Sequence, residues 1–238
     1  MTPNKPLIVG NWKMNGSLSF IKETVSFWNN QQIVNPTVVC PPFVYLEACK
    51  NLISSPLLGL GAQDCHPQAS GAFTGNISAQ QLADIGCQYA IVGHSERRQY
   101  HAESNALVRE KAQRAIDCNL TPIICIGENL ADRESGLTLE FLAQQVTESL
   151  PEKSTRIIIA YEPIWSIGTG KTAAPENIAE VHQFLRQNLG LDCRLLYGGS
   201  VTAANYKEIL GIPNVDGVLV GGASLKKEDF AKMMMNAD

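Results

Sequence analysis

Apolar residues along this chain fall into two alternating kinds of segment: short runs without polar breaks, and longer stretches where they recur at three- and four-residue spacing. The first kind reads as strands covered on both faces, the second as amphipathic helices. The runs occupy residues 7–11, 38–40, 58–63, 89–92, 122–126, 157–161, 195–197 and 218–220. Helical stretches between them include 17–30, 79–85, 107–118, 139–150, 175–188 and 225–235. Ser17, Ser78 and Thr202 stand where side-chain N-caps are wanted, and Pro175 suits a first helical turn. Strict alternation predicts an α/β fold with an all-parallel sheet, and eight units fit a single closed (β/α)8 TIM barrel better than an open sheet. A doubly wound sheet is the rival, but no Gly-x-Gly-x-x-Gly follows the first run. No segment has linker composition, so residues 1–238 are expected to form one domain.

Composition narrows the partners rather than the fold. A net charge of -4, mixed along the chain, offers no broad basic surface to nucleic acid or to an anionic membrane. Any bound phosphate must therefore be gripped locally. The apolar stretch at 7–9 is too short for a signal-peptide core or a membrane span, which points to a cytoplasmic protein. The 7 cysteines are odd in number, lack Cys-x-x-Cys pairing and mostly lie in apolar runs, so they read as reduced buried thiols. His66, His94, His101 and His182 show no metal-ligand spacing, and neither metal nor cofactor is expected.

In such a barrel the segments following the strands open on one face, so residues distant in sequence converge. That logic gathers Asn11, Lys13, His94, Glu162, Ser200 and Gly221 at one mouth. His94 ends an apolar run, and Ser95-Glu96 could open a helix whose positive end faces the ring and disfavours its protonation. A neutral imidazole can still donate to a developing enolate oxygen; a lone histidine would more simply be structural. Glu162 stands at a strand end as a candidate general base, and after it Pro163, the apolar Ile167 and two glycines have the composition of a lid. Closing Ile167 over Glu162 would exclude water from the carboxylate. Asn11 and Lys13, two apart, would point the same way from an extended segment and hold an anionic substrate. Tyr197-Gly198-Gly199-Ser200 and Gly221-Gly222-Ala223-Ser224 follow the last two strands, where such barrels commonly bind phosphate through backbone N–H groups.

Asn-Trp-Lys at 11–13, Gly-His-Ser-Glu-Arg-Arg at 93–98, Tyr-Glu-Pro-Ile-Trp-Ser-Ile-Gly-Thr-Gly-Lys at 161–171 and the paired glycine loops together resemble the triosephosphate isomerase family, from Gly10 to Lys226. The resemblance implies interconversion of dihydroxyacetone phosphate and D-glyceraldehyde 3-phosphate through an enediolate. Glu162 would shuttle the proton while Asn11, Lys13 and His94 polarise the substrate oxygens. Backbone groups of Gly168, Ser200, Gly221 and Gly222 would bind the phosphate, Leu219 and Ile167 would clamp the base, and Tyr197 and Ser200 would hold the lid closed. Ser95 and Glu96 would position the base and Lys13. The resemblance also implies a homodimer in which loop 70–76, with Thr74 in it, reaches the partner's site. Where the family usually carries a glutamate that pairs with the partner's arginine, here Arg97, this chain has Asn76. An amide supplies no counter-charge. Ser166 replaces the usual alanine in the lid. Two rivals fit the residues less well: another phosphate-binding barrel, such as a pentose-phosphate epimerase or indole-pathway isomerase, against which the lid composition after Glu162 argues, and a silent barrel that only binds a sugar phosphate, whose usual sign would be loss of Lys13, His94 or Glu162, all present here. A thiol-regulated role would have only the identities of Cys125 and Cys193 behind it.

Overall fold

A computed structural model describes residues 5–151, 156–167 and 173–235. Its eight strands are β1 (Leu7–Asn11), β2 (Thr37–Cys40), β3 (Leu58–Ala62), β4 (Tyr89–Val92), β5 (Thr121–Ile126), β6 (Ile158–Tyr161), β7 (Arg194–Tyr197) and β8 (Gly217–Val220). Each pairs in parallel with its sequence neighbour, and β8 returns to β1 through Leu7 opposite Gly217 and Gly10 opposite Val220, which closes a barrel with no free edge. The α/β barrel expected from the alternation is the observed architecture. Because side chains alternate across a strand, each apolar run serves two layers. Leu7, Val9, Val38, Ile91, Ile123, Leu196 and Leu219 fill the barrel interior. Ile8, Val39, Val92, Ile124, Ile159 and Val218 face outward against the helices.

The helices are α1 (Leu18–Asn29), α2 (Leu46–Leu52), α3 (Ala79–Ile85), α4 (Ser95–Tyr100), α5 (Asn105–Asp117), α6 (Leu130–Glu134), α7 (Thr138–Ser149), α8 (Pro175–Gln183), α9 (Tyr206–Leu210) and α10 (Lys227–Met235). Ser17 caps α1 by accepting the Phe20 N–H, Ser78 caps α3 in a reciprocal capping box with Gln81, and Pro175 sits in the first turn of α8. Thr202 is not a helix cap. Asn205 heads α9, and its Oδ1 accepts the Thr202 N–H at 2.7 Å, so Thr202 belongs to a turn one step upstream. The stretch 175–188 changes pitch at Phe184, continuing as a π-turn over Phe184–Asn188. Four short helices, α2, α4, α6 and α9, were not expected in full. At five to seven residues they are too brief to display a helical repeat. Strands begin earlier than expected at Thr37, Thr121, Arg194 and Gly217, since backbone pairing does not need an apolar side chain. Every cysteine is a free thiol, and burial raises each one. Among the described residues no helix is long and apolar enough to cross a membrane.

His182, on the buried face of α8, is fully enclosed, with Nδ1 3.1 Å from the Asn214 carbonyl oxygen and its ring edge-on to Tyr161. Burial pushes its pKa down to about 4, from an ordinary 6.5. The native ring is neutral where the unfolded one is already charged. Above pH 6.5 neither state binds the proton; between 6.5 and about 4 only the unfolded chain does, so stability falls with falling pH across that window. The expected loss from this residue is roughly 3 kcal/mol, at about 1.4 kcal/mol per pKa unit. Urea-unfolding midpoints followed through the window should fall more steeply for the wild type than for His182→Gln. Parallel curves would remove His182 from the account.

Candidate active site

The C-terminal strand ends surround a cavity of about 340 Å³. Asn11, Lys13, His94, Glu162, Ile167, Ser200, Leu219, Gly221 and Gly222 all line it. Thus residues at or just past the ends of β1, β4, β6, β7 and β8, scattered through the sequence, share one space.

His94 is the N-cap of α4, and its Nδ1 accepts the Glu96 N–H at 3.2 Å. A ring nitrogen that accepts carries no proton, so the hydrogen of the neutral ring is on Nε2. Nε2 lies 3.1 Å from Glu162 Oε1. Glu162, only 2 % exposed, receives at Oε2 a second hydrogen bond from the Ser95 N–H, at 3.0 Å. The base candidate is therefore gripped from two sides by the head of α4. Its surroundings are tight because glycines leave room: a Cβ on Gly198 would come within 2.9 Å of Glu162 Cγ.

Lys13 departs from the expected extended segment. Its φ is +51°, in the left-handed region, which costs a non-glycine residue roughly 1–3 kcal/mol. Three groups offset that strain. Asn11 Oδ1 accepts the Lys13 N–H at 3.0 Å, Gln63 Nε2 donates to the Lys13 carbonyl at 2.8 Å, and Glu96 Oε1 lies 2.6 Å from Nζ. Asn11 thus orients the lysine through its backbone as well as standing beside it in the cavity.

At the opposite wall, Gly221 passes beneath the lysine stem, where an added Cβ would be 3.5 Å from Lys13 Cε. A Cβ on Gly222 would meet nothing within 4 Å, so this backbone lies open. The chain then winds into a short 3-10 turn over Gly222–Leu225, whose Ser224 side chain donates back to the Gly221 carbonyl. Ser200 is held by Asn205 Nδ2, which donates to its carbonyl at 2.9 Å.

The segment after Glu162 starts with a 3-10 turn, Ile164–Ser166. Trp165 Nε1 and Tyr161 Oη both donate to Glu128 Oε1, at 2.9 and 3.1 Å, and burial raises the Glu128 carboxyl. The Tyr197 hydroxyl ends beside Gly199 and the Ser166 hydroxyl; a Cβ on Gly199 would be 2.2 Å from it. Tyr197 is buried behind the cavity rather than in its wall. Gly168 lies outside the described residues.

Loop 70–76, including Thr74, does not line the cavity and is exposed throughout. Arg97 already has acidic partners in its own chain: Nη2 is 2.9 Å from Asp64 Oδ2 and Nε is 2.6 Å from Glu103 Oε1, while Lys111 bridges the same two carboxylates. Gln63 and Glu128 are site residues that the sequence reading passed over. Both follow strands, the signal that singled out Glu162, but neither stands in a segment with lid or phosphate-loop composition. Among the described residues no cluster of three or more His, Cys, Asp or Glu side chains is placed to hold a metal ion.

Comparison with known proteins adds an independent line. A family model described as triosephosphate isomerase matches residues 6–237. A protein of Albidiferax ferrireducens named triosephosphate isomerase is 46 % identical, with 98 % of this chain and 99 % of that protein covered. Proteins of the same name from Hahella chejuensis and Rhizobium meliloti are 44 % and 45 % identical, each with 97 % of this chain covered and with 97 % and 95 % of their own lengths. Matched over nearly its whole length by both comparisons, the chain belongs to the triosephosphate isomerase family.

Proposed function

We propose that this chain, acting as one catalytic domain without a cofactor, interconverts dihydroxyacetone phosphate and D-glyceraldehyde 3-phosphate in the cytoplasm, as a step of glycolysis and gluconeogenesis. The observation carrying the reading is the 3.1 Å approach of a buried carboxylate to an imidazole nitrogen in a cavity whose far wall is glycine backbone. Inorganic and sugar phosphates suit that wall, which offers backbone N–H groups rather than a dense positive field.

In this scheme the phosphate seats against Ser200, Gly221 and Gly222, with Gly168 completing the cradle. The carbonyl and hydroxyl oxygens of the triose then displace Glu162 from Ser95 and His94. Glu162 removes the proton from the carbon next to the carbonyl. The electron pair moves onto the carbonyl oxygen, where His94 Nε2–H, Lys13 Nζ and Asn11 stabilise the enediolate. A proton passes from the neighbouring hydroxyl oxygen to the former carbonyl oxygen, Glu162 returns its own proton to the carbon that bore the carbonyl, and the other isomer forms with the carboxylate unchanged. Glu96 fixes the ammonium, Ser95 gives the resting carboxylate its docking point, and Ile167 with Leu219 covers the base once the lid has closed. The Tyr197 and Ser200 side chains hold that closed lid.

The same reading makes the protein a homodimer through loop 70–76, with Thr74 directed to the partner's site. Support comes from the exposed apolar side chains Phe73 and Met14, the latter 94 % exposed. Asp64 and Glu103 neutralise Arg97 internally, so Asn76 need contribute only hydrogen bonds across the interface.

The test pairs a coupled assay with sedimentation of the full chain at assay concentration. Turnover of both triose phosphates, far slower turnover of unphosphorylated glyceraldehyde, and a species of twice the chain mass are expected; a truncated substrate loses binding energy that the reacting centre uses. Equal turnover with and without the phosphate would overturn the assignment of the glycine wall. A species of single-chain mass would overturn the dimer.

A further inference from the structure

Arg98 lies on α4, four residues past His94, and reaches inward with its whole guanidinium engaged. Nε donates to the Gly93 carbonyl at 2.8 Å, Nη1 to Asn105 Oδ1 at 2.6 Å, and Nη2 to the Cys125 carbonyl at 3.0 Å and Ser149 Oγ at 3.3 Å. These acceptors come from the end of β4, the start of α5, β5 and the end of α7. Among the described residues no carboxylate lies within ion-pair distance of it. Burial lowers its pKa, and the charge of Glu162 is among the influences acting the other way.

Two of those acceptors adjoin the reacting groups. Gly93 immediately precedes His94, and it is held at φ +65° in a space so close that an added Cβ would lie 2.9 Å from Arg98 Nη2. Cys125 is buried against Glu162, whose charge helps raise its thiol after burial itself. We propose that Arg98 is a positioning residue that ties the ends of β4 and β5 together, and so sets the spacing of the His94 imidazole and the Glu162 carboxylate. Resting on the assignment of His94 and Glu162 above, this inference extends it to a group that touches neither substrate nor reacting atoms. A planar fork suits the task, because acceptors in several directions must be held at once, and an ammonium cannot span them.

Positioning of this kind acts on the chemical step more than on phosphate binding, which belongs to the β7 and β8 loops. Arg98→Met is expected to lower kcat about 100-fold with KM unmoved, the scale of a 1 Å misplacement. Arg98→Lys, which keeps charge and stem, should lose about tenfold, the worth of one charge-assisted hydrogen bond. In Arg98→Ala, guanidinium ion should restore part of kcat, while sodium chloride at the same ionic strength should not. If Met or Ala at this position prevents folding, Arg98→Lys decides by its kcat and KM alone. Wild-type kcat per folded molecule in Arg98→Lys and Arg98→Met, or a KM that rises in step with the fall in kcat, would overturn the inference. Wild-type turnover in Glu162→Gln would instead remove the base itself, whatever the Arg98 variants do.

Discussion

Glu162→Gln is expected to lower kcat by about four orders of magnitude, at the upper end of what a positioned general base contributes, while KM stays close to the wild-type value. The substitution is nearly isosteric. Its amide oxygen can still accept the Ser95 N–H that Oε2 accepts now, which keeps one of the two tethers, while the amide nitrogen no longer accepts from His94. What disappears is a basic oxygen able to take a carbon-bound proton. Four orders of magnitude correspond to about 5 kcal/mol of transition-state stabilisation, at 1.36 kcal/mol per tenfold. Glu162→Asp separates basicity from placement: it keeps the carboxylate but draws it back by one methylene, and about 100-fold should be lost, as expected for a misplacement near 1 Å. A Gln variant within tenfold of the wild type would exclude Glu162 as the base. So would an Asp variant less active than Gln.

Much of this geometry was legible because barrel topology turns a simple sequence rule into a spatial one. Residues just past apolar runs share a mouth, and that rule alone brought Asn11, His94, Glu162 and Gly221 to one cavity. Periodicity carried the strands and the longer helices for the same reason, since both are written in repeating side-chain burial. What periodicity could not carry is conformation imposed from elsewhere. Lys13 adopts a left-handed φ because Asn11, Gln63 and Glu96 hold it there, and the last two come from the end of β3 and the first turn of α4. Likewise Arg97 meets Asp64 and Glu103 only after β3, α4 and α5 have packed, so the loss of acidity at Asn76 read as an unbalanced charge when it is balanced within the chain. Glu128 was silent, and Arg98 stood only as the last residue of a motif, for a related reason. Their partners are indole and phenol groups, an amide, a hydroxyl and backbone carbonyls, which leave no pattern in sequence.

Gly127→Ala is expected to be the most damaging change of a single methyl group near the site. Gly127 directly follows β5, where its N–H donates to Gln145 Oε1 at 2.7 Å, and the adjoining ladder is closed by the Glu162 N–H donating to the Ile126 carbonyl at 2.7 Å. A Cβ on residue 127 would lie 1.7 Å from the Glu162 carbonyl oxygen and 2.7 Å from its carbonyl carbon. Both atoms are backbone, so no flexible side chain can swing aside. The end of β6 must therefore move by more than 1 Å, since contacts below 3.0 Å are essentially never occupied by a Cβ, and Glu162 moves with it. Activity of the folded protein should fall at least 100-fold through displacement of the base. Stability should fall by about 4 kcal/mol, in the range reached only when a core is overpacked or strained. Gly136→Ala is the control for backbone strain without a clash, because that glycine has a demanding φ of +72°, as Gly127 does not, and an added Cβ there meets nothing within 4 Å. It should lose only about 1 kcal/mol and keep its kcat. Urea midpoints and the kcat of the folded fraction, measured for both variants, decide the matter. If Gly127→Ala behaves like Gly136→Ala, the close backbone approach does not set the position of Glu162.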